Sequence, residues 1–346
     1  MIKKVTPALS KKEKQQLVLE VAALTTEVRA PFMEVHGLPK TLSDRKKVKE
    51  RIEKAIKAET ISYEEIIGFL DDVVPWGKQH VYLFKGPSGT IQDWKKTAWL
   101  ENHLKASAAD LFALVNNKIH VGLPKQITPV AIQHSKKSLR VSFVRLREWF
   151  EHAEEHDKSG KTPEGEVIDF RAYVHRTIRN FIAFDWNLSA NTAMLQISQL
   201  PGRIRYRNVK SEFEICVKPW LDLSKFSLVD LHKPILNLCA LELAGNGITR
   251  AHGFEIQSLQ SRSIVAKSGE GSVSVFGEAS VDAVYKSMSK NGVGNLGNFY
   301  WLPRSGSSIK DELRVVLVGA KNRVNFTVPS NEKVVRRIIA DIRKNS

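Results

Sequence analysis

The chain is poor in cysteine and has no long apolar run. Its 346 residues include only two cysteines, Cys216 and Cys239, and both lie among apolar neighbours. Two cysteines are too few for a disulfide scaffold, and their spacing differs from the C-x-x-C pairs of metal sites. No apolar stretch approaches the roughly 20 residues of a spanning helix. We therefore expect a reduced protein without a membrane segment.

The N-terminal residues also lack the apolar centre of a signal peptide. Met1 to Pro7 run directly into the charged segment Ser10-Lys-Lys-Glu-Lys, whereas a signal peptide needs a continuous apolar core. This pattern predicts that the protein is not exported. We expect a cytoplasmic location, or a nuclear one if the source is a eukaryote.

Signatures of catalysis are scarce. The chain contains no G-x-S-x-G and no complete G-x-x-x-x-G-K-[ST]. The one formal match to a catalytic motif is the H-x-x-E-H pattern from His152 to His156, which on a helix would place both histidines on one face with Glu155 as the base. An exposed helix end is the favoured interpretation of this pattern. We predict no catalytic residue, no metal site and no cofactor, and we leave enzymatic activity open.

The strongest functional signal is a surplus of cations. The sequence has 53 Lys and Arg against 37 Asp and Glu, which gives a formal net charge of +16. A surface with this charge attracts polyanions. We expect a nucleic acid as the partner, DNA rather than RNA, together with possible protein partners and no membrane. A chain that is basic for solubility, or for an acidic protein partner, remains an alternative.

Residue patterning predicts an α+β fold, with a small helical N-terminal module followed by a larger mixed α/β domain with antiparallel strands. Ser10 with Glu13, and Ser62 with Glu65, match the capping box of a helix start. Two alternating runs near the C-terminus predict strands around a turn at Gly319. We divide the chain into a basic helical module (1–75), a first part of the α+β region (76–153), a linker or exposed loop (154–166) and a C-terminal α+β domain (167–346).

A basic helix is predicted inside the module. The run from Ser43 to Lys57 has apolar residues at helical spacing, and its other face is mostly Lys, Arg and Glu. The preceding turn, Gly37-Leu-Pro-Lys, together with this helix resembles the SAP family of small DNA-binding motifs. We therefore take Lys46, Lys47 and Lys49 as candidate phosphate contacts. The order of a helical leader and a strand that feeds a mixed sheet is also similar to the organisation of centromere protein N and its relatives.

The most suggestive basic element is the segment Gly202-Arg-Ile-Arg-Tyr-Arg. In an extended strand, Arg203, Arg205 and Arg207 would share one face. Their spacing of roughly 6.6 to 7 Å is close to the separation of phosphates along an extended nucleic-acid strand. A solvated edge strand, kept charged to prevent aggregation, is the competing interpretation.

Two further basic groups could extend this surface. Residues 170–181 have a helical period that places basic side chains together, and a second group interleaves charge with apolar residues after residue 135. A third group near the C-terminus, which includes Lys321 and Arg323, receives little weight. The candidate phosphate contacts of the first two groups are Arg171, Arg176, Arg179, Lys136, Lys137 and Arg140.

Together these features predict a non-enzymatic nucleic-acid-binding protein that contacts phosphates through basic surfaces, as a component of a larger complex. One alternative is a nuclease or other hydrolase whose site assembles only in three dimensions. Another is an adaptor that binds an acidic protein. The main prediction requires that the surplus cations gather on a shared patch and are not individually paired with carboxylates.

Overall fold

A computed structural model describes residues 9–89, 91–119, 121–201, 204–304 and 306–346. In these residues the chain forms eleven α-helices and thirteen β-strands, and all strand pairs in its sheets are antiparallel. The predicted α+β class is confirmed. The predicted domain limits stay predictions.

Four helices form the N-terminal module around their own core. They are α1 (Lys11–Ala23), α2 (Thr26–Val35), α3 (Arg45–Lys57) and α4 (Tyr63–Val73). Both predicted capping boxes are present, at the starts of α1 and α4, and α3 begins after the N-cap Asp44. Sequence patterning missed α2, because Pro31 lies inside this helix and Thr25 makes no side-chain cap.

One large antiparallel sheet crosses the rest of the molecule, and a two-stranded sheet lies apart from it. The strands are β1 (Gln79–Lys85), β2 (Thr128–Ser135), β3 (Ser138–His152), β4 (Lys158–Lys161), β5 (Val167–Phe170), β6 (Tyr173–Asn187), β7 (Thr192–Ser198), β8 (Ser227–Leu228), β9 (Thr249–Gln257), β10 (Ser263–Lys267), β11 (Val293–Trp301), β12 (Leu313–Val318) and β13 (Arg323–Phe326). The order of the large sheet is β10-β9-β11-β12-β13-β1-β7-β6-β3-β2, with β8 also paired to β1, and β4 pairs with β5.

Helices cover the large sheet and enclose two further cores. They are α5 (Ile91–Trp94), α6 (Thr97–Ser107), α7 (Ala109–Phe112), α8 (Tyr206–Val217), α9 (His232–Leu243), α10 (Ala279–Met288) and α11 (Glu332–Lys344). The central strand β1 belongs to both cores, because successive side chains of a strand point to opposite faces. Val81 and Leu83 pack with α9 and α11 in one core, whereas Tyr82 and Phe84 pack with α6 and α8 in the other.

Two local predictions are wrong. Residues 173–181 belong to strand β6 and not to a helix, and residues 179–186 of this strand are buried without interruption. Such burial on both faces hides the period of two that would have identified a strand. The strand expected over residues 202–207 is absent at residues 204–207, because Tyr206 starts α8, whose Val209 and Phe213 face the core.

The last helix and the segment 154–166 complete the architecture. The N-cap of the last helix, α11, is Asn331, whose side chain accepts a hydrogen bond from the backbone N–H of Val334. Residues 154–166 lie at the end of a long hairpin, in which β3 and β6 pair from Ser138 with Asn187 to His152 with Tyr173. Most residues of this segment are exposed.

A buried polar contact joins the helical module to β6. The guanidinium of Arg179 pairs with Asp71 of α4 at 2.5 Å, and both side chains are almost completely buried. The backbone N–H of Arg179 also donates to Glu20 of α1 at 2.8 Å, and Gln16 exchanges two hydrogen bonds with Thr177. These contacts fix α1 and α4 on the sheet.

We predict that Arg179→Ala destabilises the protein by about 3 to 5 kcal/mol, because it removes the buried cation from the Asp71 carboxylate and leaves only the partly exposed Lys118, at 3.3 Å, as its ion-pair partner. Arg176→Ala is the matched control, since the Arg176–Glu151 pair is about half exposed; it should cost less than about 1 kcal/mol. Urea denaturation of the two variants measures both values. Equal costs would contradict a structural role for Arg179.

Glu20 should make stability depend on pH. Burial raises the pKa of Glu20 from its usual value of 4.5 to about 7. As the pH rises between these values, the unfolded chain ionises first, so this group lowers the stability of the fold until the pH passes about 7. Glu20→Gln cannot ionise, and its free energy of unfolding should gain about 1 to 3 kcal/mol over the parent between pH 5 and pH 8. If the difference in free energy of unfolding between Glu20→Gln and the parent did not change with pH in urea denaturation, Glu20 would not be the source of the pH dependence.

Candidate nucleic-acid interface

A groove of about 630 Å³ lies where the start of α8 meets the β12–β13 turn. Among the described residues that line it, five are basic and none is acidic. The lining residues are Tyr82, Arg205, Tyr206, Arg207, Lys210, Leu228, Ala320, Lys321 and Arg323. This is a concave surface of one charge sign, the arrangement that attracts and holds anions.

The first turn of α8 forms one wall of the groove. Arg205 is the N-cap of the helix and Arg207 lies in its first turn, and both side chains are exposed. Lys210 follows one turn later and is half-buried. Val209 and Phe213 hold this helix on the core, so the cations are fixed at the helix start, where the backbone amides also favour negative charge.

The turn between β12 and β13 forms the opposite wall. Residues Gly319–Lys321 make a short 3-10 turn that Asn322 ends in the left-handed conformation, at φ 45°. The Asn322 side chain accepts a hydrogen bond from the backbone N–H of Leu231 at 3.0 Å, which anchors the turn. Lys321 is exposed beside this anchor, and Arg323 follows as the first residue of β13.

Aromatic side chains form the floor and hold Arg323 in place. The Arg323 guanidinium lies 4.8 Å from the ring centroid of Tyr206, and the Tyr206 ring packs on His80 at 3.7 Å. The phenol oxygen of Tyr206 accepts a hydrogen bond from the backbone N–H of Leu200 at 2.9 Å. The buried Nε of Arg323 has no hydrogen-bond partner among the described residues.

Only Lys and Arg supply charge to this groove at neutral pH. Burial, with a further contribution from Arg323, lowers the pKa of His80 to about 3, so this imidazole is neutral. Burial also raises the pKa of Tyr82 and of Tyr206, so both phenols keep their protons. Lys210 pairs with Glu214 on the same helix. Within the described parts of the chain, no ion pair engages Arg205, Arg207, Lys321 or Arg323.

The structure therefore brings together two residues of the arginine segment and separates others. Arg205 and Arg207 face the groove, and Arg203 lies outside the described residues. Arg179 is bound to Asp71 in the interior and cannot reach a phosphate without breaking that pair. Sequence reasoning missed Lys210, and it gave little weight to Lys321 and Arg323, because only the tertiary fold places them beside α8.

Arg171 and Arg176 lie elsewhere, at the exposed end of the β3–β6 hairpin. Arg176 pairs with Glu151 across the two strands at 2.6 Å. The backbone hydrogen bond from Ala172 lowers the pKa of the Asp157 carboxyl, and the contact with His152 lowers it further. The charge of the nearby Arg171 makes a smaller contribution in the same direction. Neither arginine lines the groove.

The remaining predicted contacts divide into exposed and engaged side chains. Lys46 and Lys47 are exposed in the first turn of α3, and Lys49 pairs with Glu53 at 3.7 Å. Lys136 and Lys137 are exposed in the turn between β2 and β3.

Arg140 is engaged in a buried polar contact. It pairs with Asp185 at 2.9 Å and lies 4.6 Å from the ring centroid of Trp76. Burial lowers its pKa from the usual arginine range. Its free cationic surface is therefore small.

The H-x-x-E-H pattern does not form a helical histidine pair. His152 ends strand β3, and residues Glu154–His156 form a 3-10 turn. The His152 Nε2 lies 2.7 Å from an Asp157 carboxylate oxygen. The geometry that an inverted zincin motif requires is therefore not present here.

Over the described residues, no group of three or more His, Cys, Asp or Glu is arranged to hold a metal ion. In those same ranges, no helix combines the length and apolar character needed to cross a bilayer. No protein-family model matches the chain, and neither does any curated protein.

Proposed function

We propose that this protein binds nucleic acid without transforming it, and that the groove between α8 and the β12–β13 turn holds the phosphates. The observation that carries the proposal is that five basic residues, and no carboxylate among the described residues, line one concavity. Nucleic acid is a polyanion whose binding depends on such neutralisation. DNA is favoured over RNA because α3 resembles the DNA-binding SAP helix.

The groove supports phosphate contact more directly than base recognition. Arg205, Arg207 and Lys321 are exposed cations, and a guanidinium can grip a phosphate with two parallel hydrogen bonds. Tyr82 is almost completely buried, and the Tyr206 ring is covered by Arg323, so neither offers a free face for a base. Contacts of this kind position a nucleic acid without reading its sequence.

Exposed lysines outside the groove extend the proposed contact surface. Lys46 and Lys47 on α3, and Lys136 and Lys137 in the β2–β3 turn, are free of ion pairs among the described residues. They would add to the general attraction but are not part of the concave site. We further propose that the protein acts inside a cell, within a larger complex, where its two free cysteines stay reduced.

The double variant Arg207→Ala/Lys321→Ala tests the groove. Each side chain is exposed, so the fold should remain intact. We expect the affinity for a short DNA duplex to fall about tenfold or more, since each lost phosphate contact costs roughly 1 kcal/mol. The slope of log K against log salt should flatten by about 1.8, or 0.9 per contact. Fluorescence anisotropy at several salt concentrations measures both quantities.

The matched control is Lys286→Ala/Lys290→Ala, which removes the same formal charge from exposed positions that do not line the groove. Its affinity should change by less than about twofold. Equal losses in the two double variants would show that the overall field, and not the groove, binds DNA. Cleavage of the duplex that stops with a chelator would instead favour the nuclease alternative.

A further inference from the structure

The end of the β3–β6 hairpin extends beyond the neighbouring strands of the large sheet. We call residues 148–176 the arm; it contains the ends of β3 and β6 and the small β4–β5 sheet. β7 pairs with β6 only from Ile182 onward, and β2 pairs with β3 only as far as Val144. Within the described residues, β3 and β6 therefore have only each other as strand partners in the arm, and no strand pairs with their outer edges there.

The arm exposes large apolar side chains that a folded core would bury. Phe150 is 70% exposed, Val167 68%, Phe170 59% and Tyr173 56%. By the register of β3 and β6, Phe150 and Tyr173 lie on the same face. Exposed aromatic side chains that share a face, as Phe150 and Tyr173 do, are typical of a surface that a partner covers when polar residues rim them.

Histidine rings accompany these aromatic side chains. The Phe150 and His175 ring centroids are 5.2 Å apart, and those of His152 and Tyr173 are 5.4 Å apart. The result is a row of four rings along one face of a two-stranded ribbon. The faces of such rings attract cations, and Arg in particular stacks on them.

The charge of the arm is opposite to that of the chain as a whole. It holds eight Asp and Glu against four Lys and Arg, although the full sequence has more basic than acidic residues. Only Glu148 and Glu151 pair with a Lys or Arg in the described structure, through Lys12 and Arg176. Asp157 contacts His152 and accepts a hydrogen bond from the backbone N–H of Ala172, and Asp169 accepts one from Ser159. The carboxylates available to an external cation are therefore those of Glu154, Glu155, Glu164 and Glu166.

We propose that the arm is a docking surface for a cationic polypeptide segment in which Arg or Lys alternates with apolar residues. Exposed rings and unpaired carboxylates are both groups that a guanidinium contacts, and the apolar residues of the segment would cover Phe150 and Phe170. The arm repels nucleic acid and anionic membranes, and like charge opposes pairing with the arm of a second copy. The proposal does not depend on the nucleic-acid groove, which uses other residues.

Two variants of the full-length protein separate the two components of this surface. Phe150→Ser/Tyr173→Ser removes rings and keeps the charge, and Glu154→Gln/Glu155→Gln/Glu166→Gln removes charge and keeps the rings. The probe is a fluorescent synthetic peptide of alternating Arg and Leu, and anisotropy reports its binding. We expect each variant to weaken binding about tenfold, because both kinds of group contact the peptide.

Matched controls change the same chemistry at distant exposed sites. Ile215→Ser/Leu259→Ser removes two exposed apolar side chains, and Glu50→Gln/Glu64→Gln/Glu270→Gln removes three exposed carboxylates. Controls that bind like the parent support the proposal. Controls that weaken binding as much as the arm variants would overturn it, as would a ring variant that binds like the parent, because attraction would then be a matter of charge alone.

Two further measurements keep this test independent of the proposed function. The arm variants should bind the DNA duplex like the parent, so failure of the peptide test and failure of the groove test remain distinguishable. In sedimentation, we expect the parent and the arm variants to have the same association state. If the parent self-associated and the arm variants did not, the occupant of the arm would be a second copy of the chain, and the choice of a cationic peptide would be overturned.

Discussion

The buried pair between Arg179 and Asp71 is the contact on which the arrangement of the molecule depends. Two charges that have lost their water must satisfy each other, and here they belong to different parts of the chain: β6 of the sheet and α4 of the helical module. Glu20 of α1 binds the backbone at the same residue of β6. The module is thus fixed on the strand that continues outward into the arm.

The same pair explains why an arginine is a poor indicator of function when only the sequence is known. Arg179 looked equivalent to its neighbours in a basic segment, yet its side chain is 1% exposed. Arg140 is likewise held by Asp185. Local patterning showed what could be read within a few residues, such as the capping boxes of α1 and α4 and the alternation in β12 and β13. It could not show which carboxylate the fold would bring to each cation.

The groove shows the same limit of local patterning, because residues far apart in the sequence form it. Arg207 and Lys321 are more than a hundred residues apart in the chain, and they meet because β13 pairs with β1 while α8 packs on the core beside it. The error at residues 204–207 had a local cause: an Arg-apolar alternation over a few residues fits a strand, but Val209 and Phe213 continue a helical period. Arg205 and Arg207 line the groove, but the element predicted to carry them, a strand, is wrong at residues 204–207.

The net charge of the chain is therefore the sum of surface regions that carry opposite charge. The groove concentrates cations without a lining carboxylate, whereas the arm has twice as many acidic as basic residues. An even spread of the surplus cations would make the whole exterior positive and would disfavour a cationic ligand everywhere. The separation of charge allows one chain, as we propose, to hold a polyanion at α8 and a cationic segment at the arm. Like charges keep each ligand away from the surface of the other, so the two could bind at the same time.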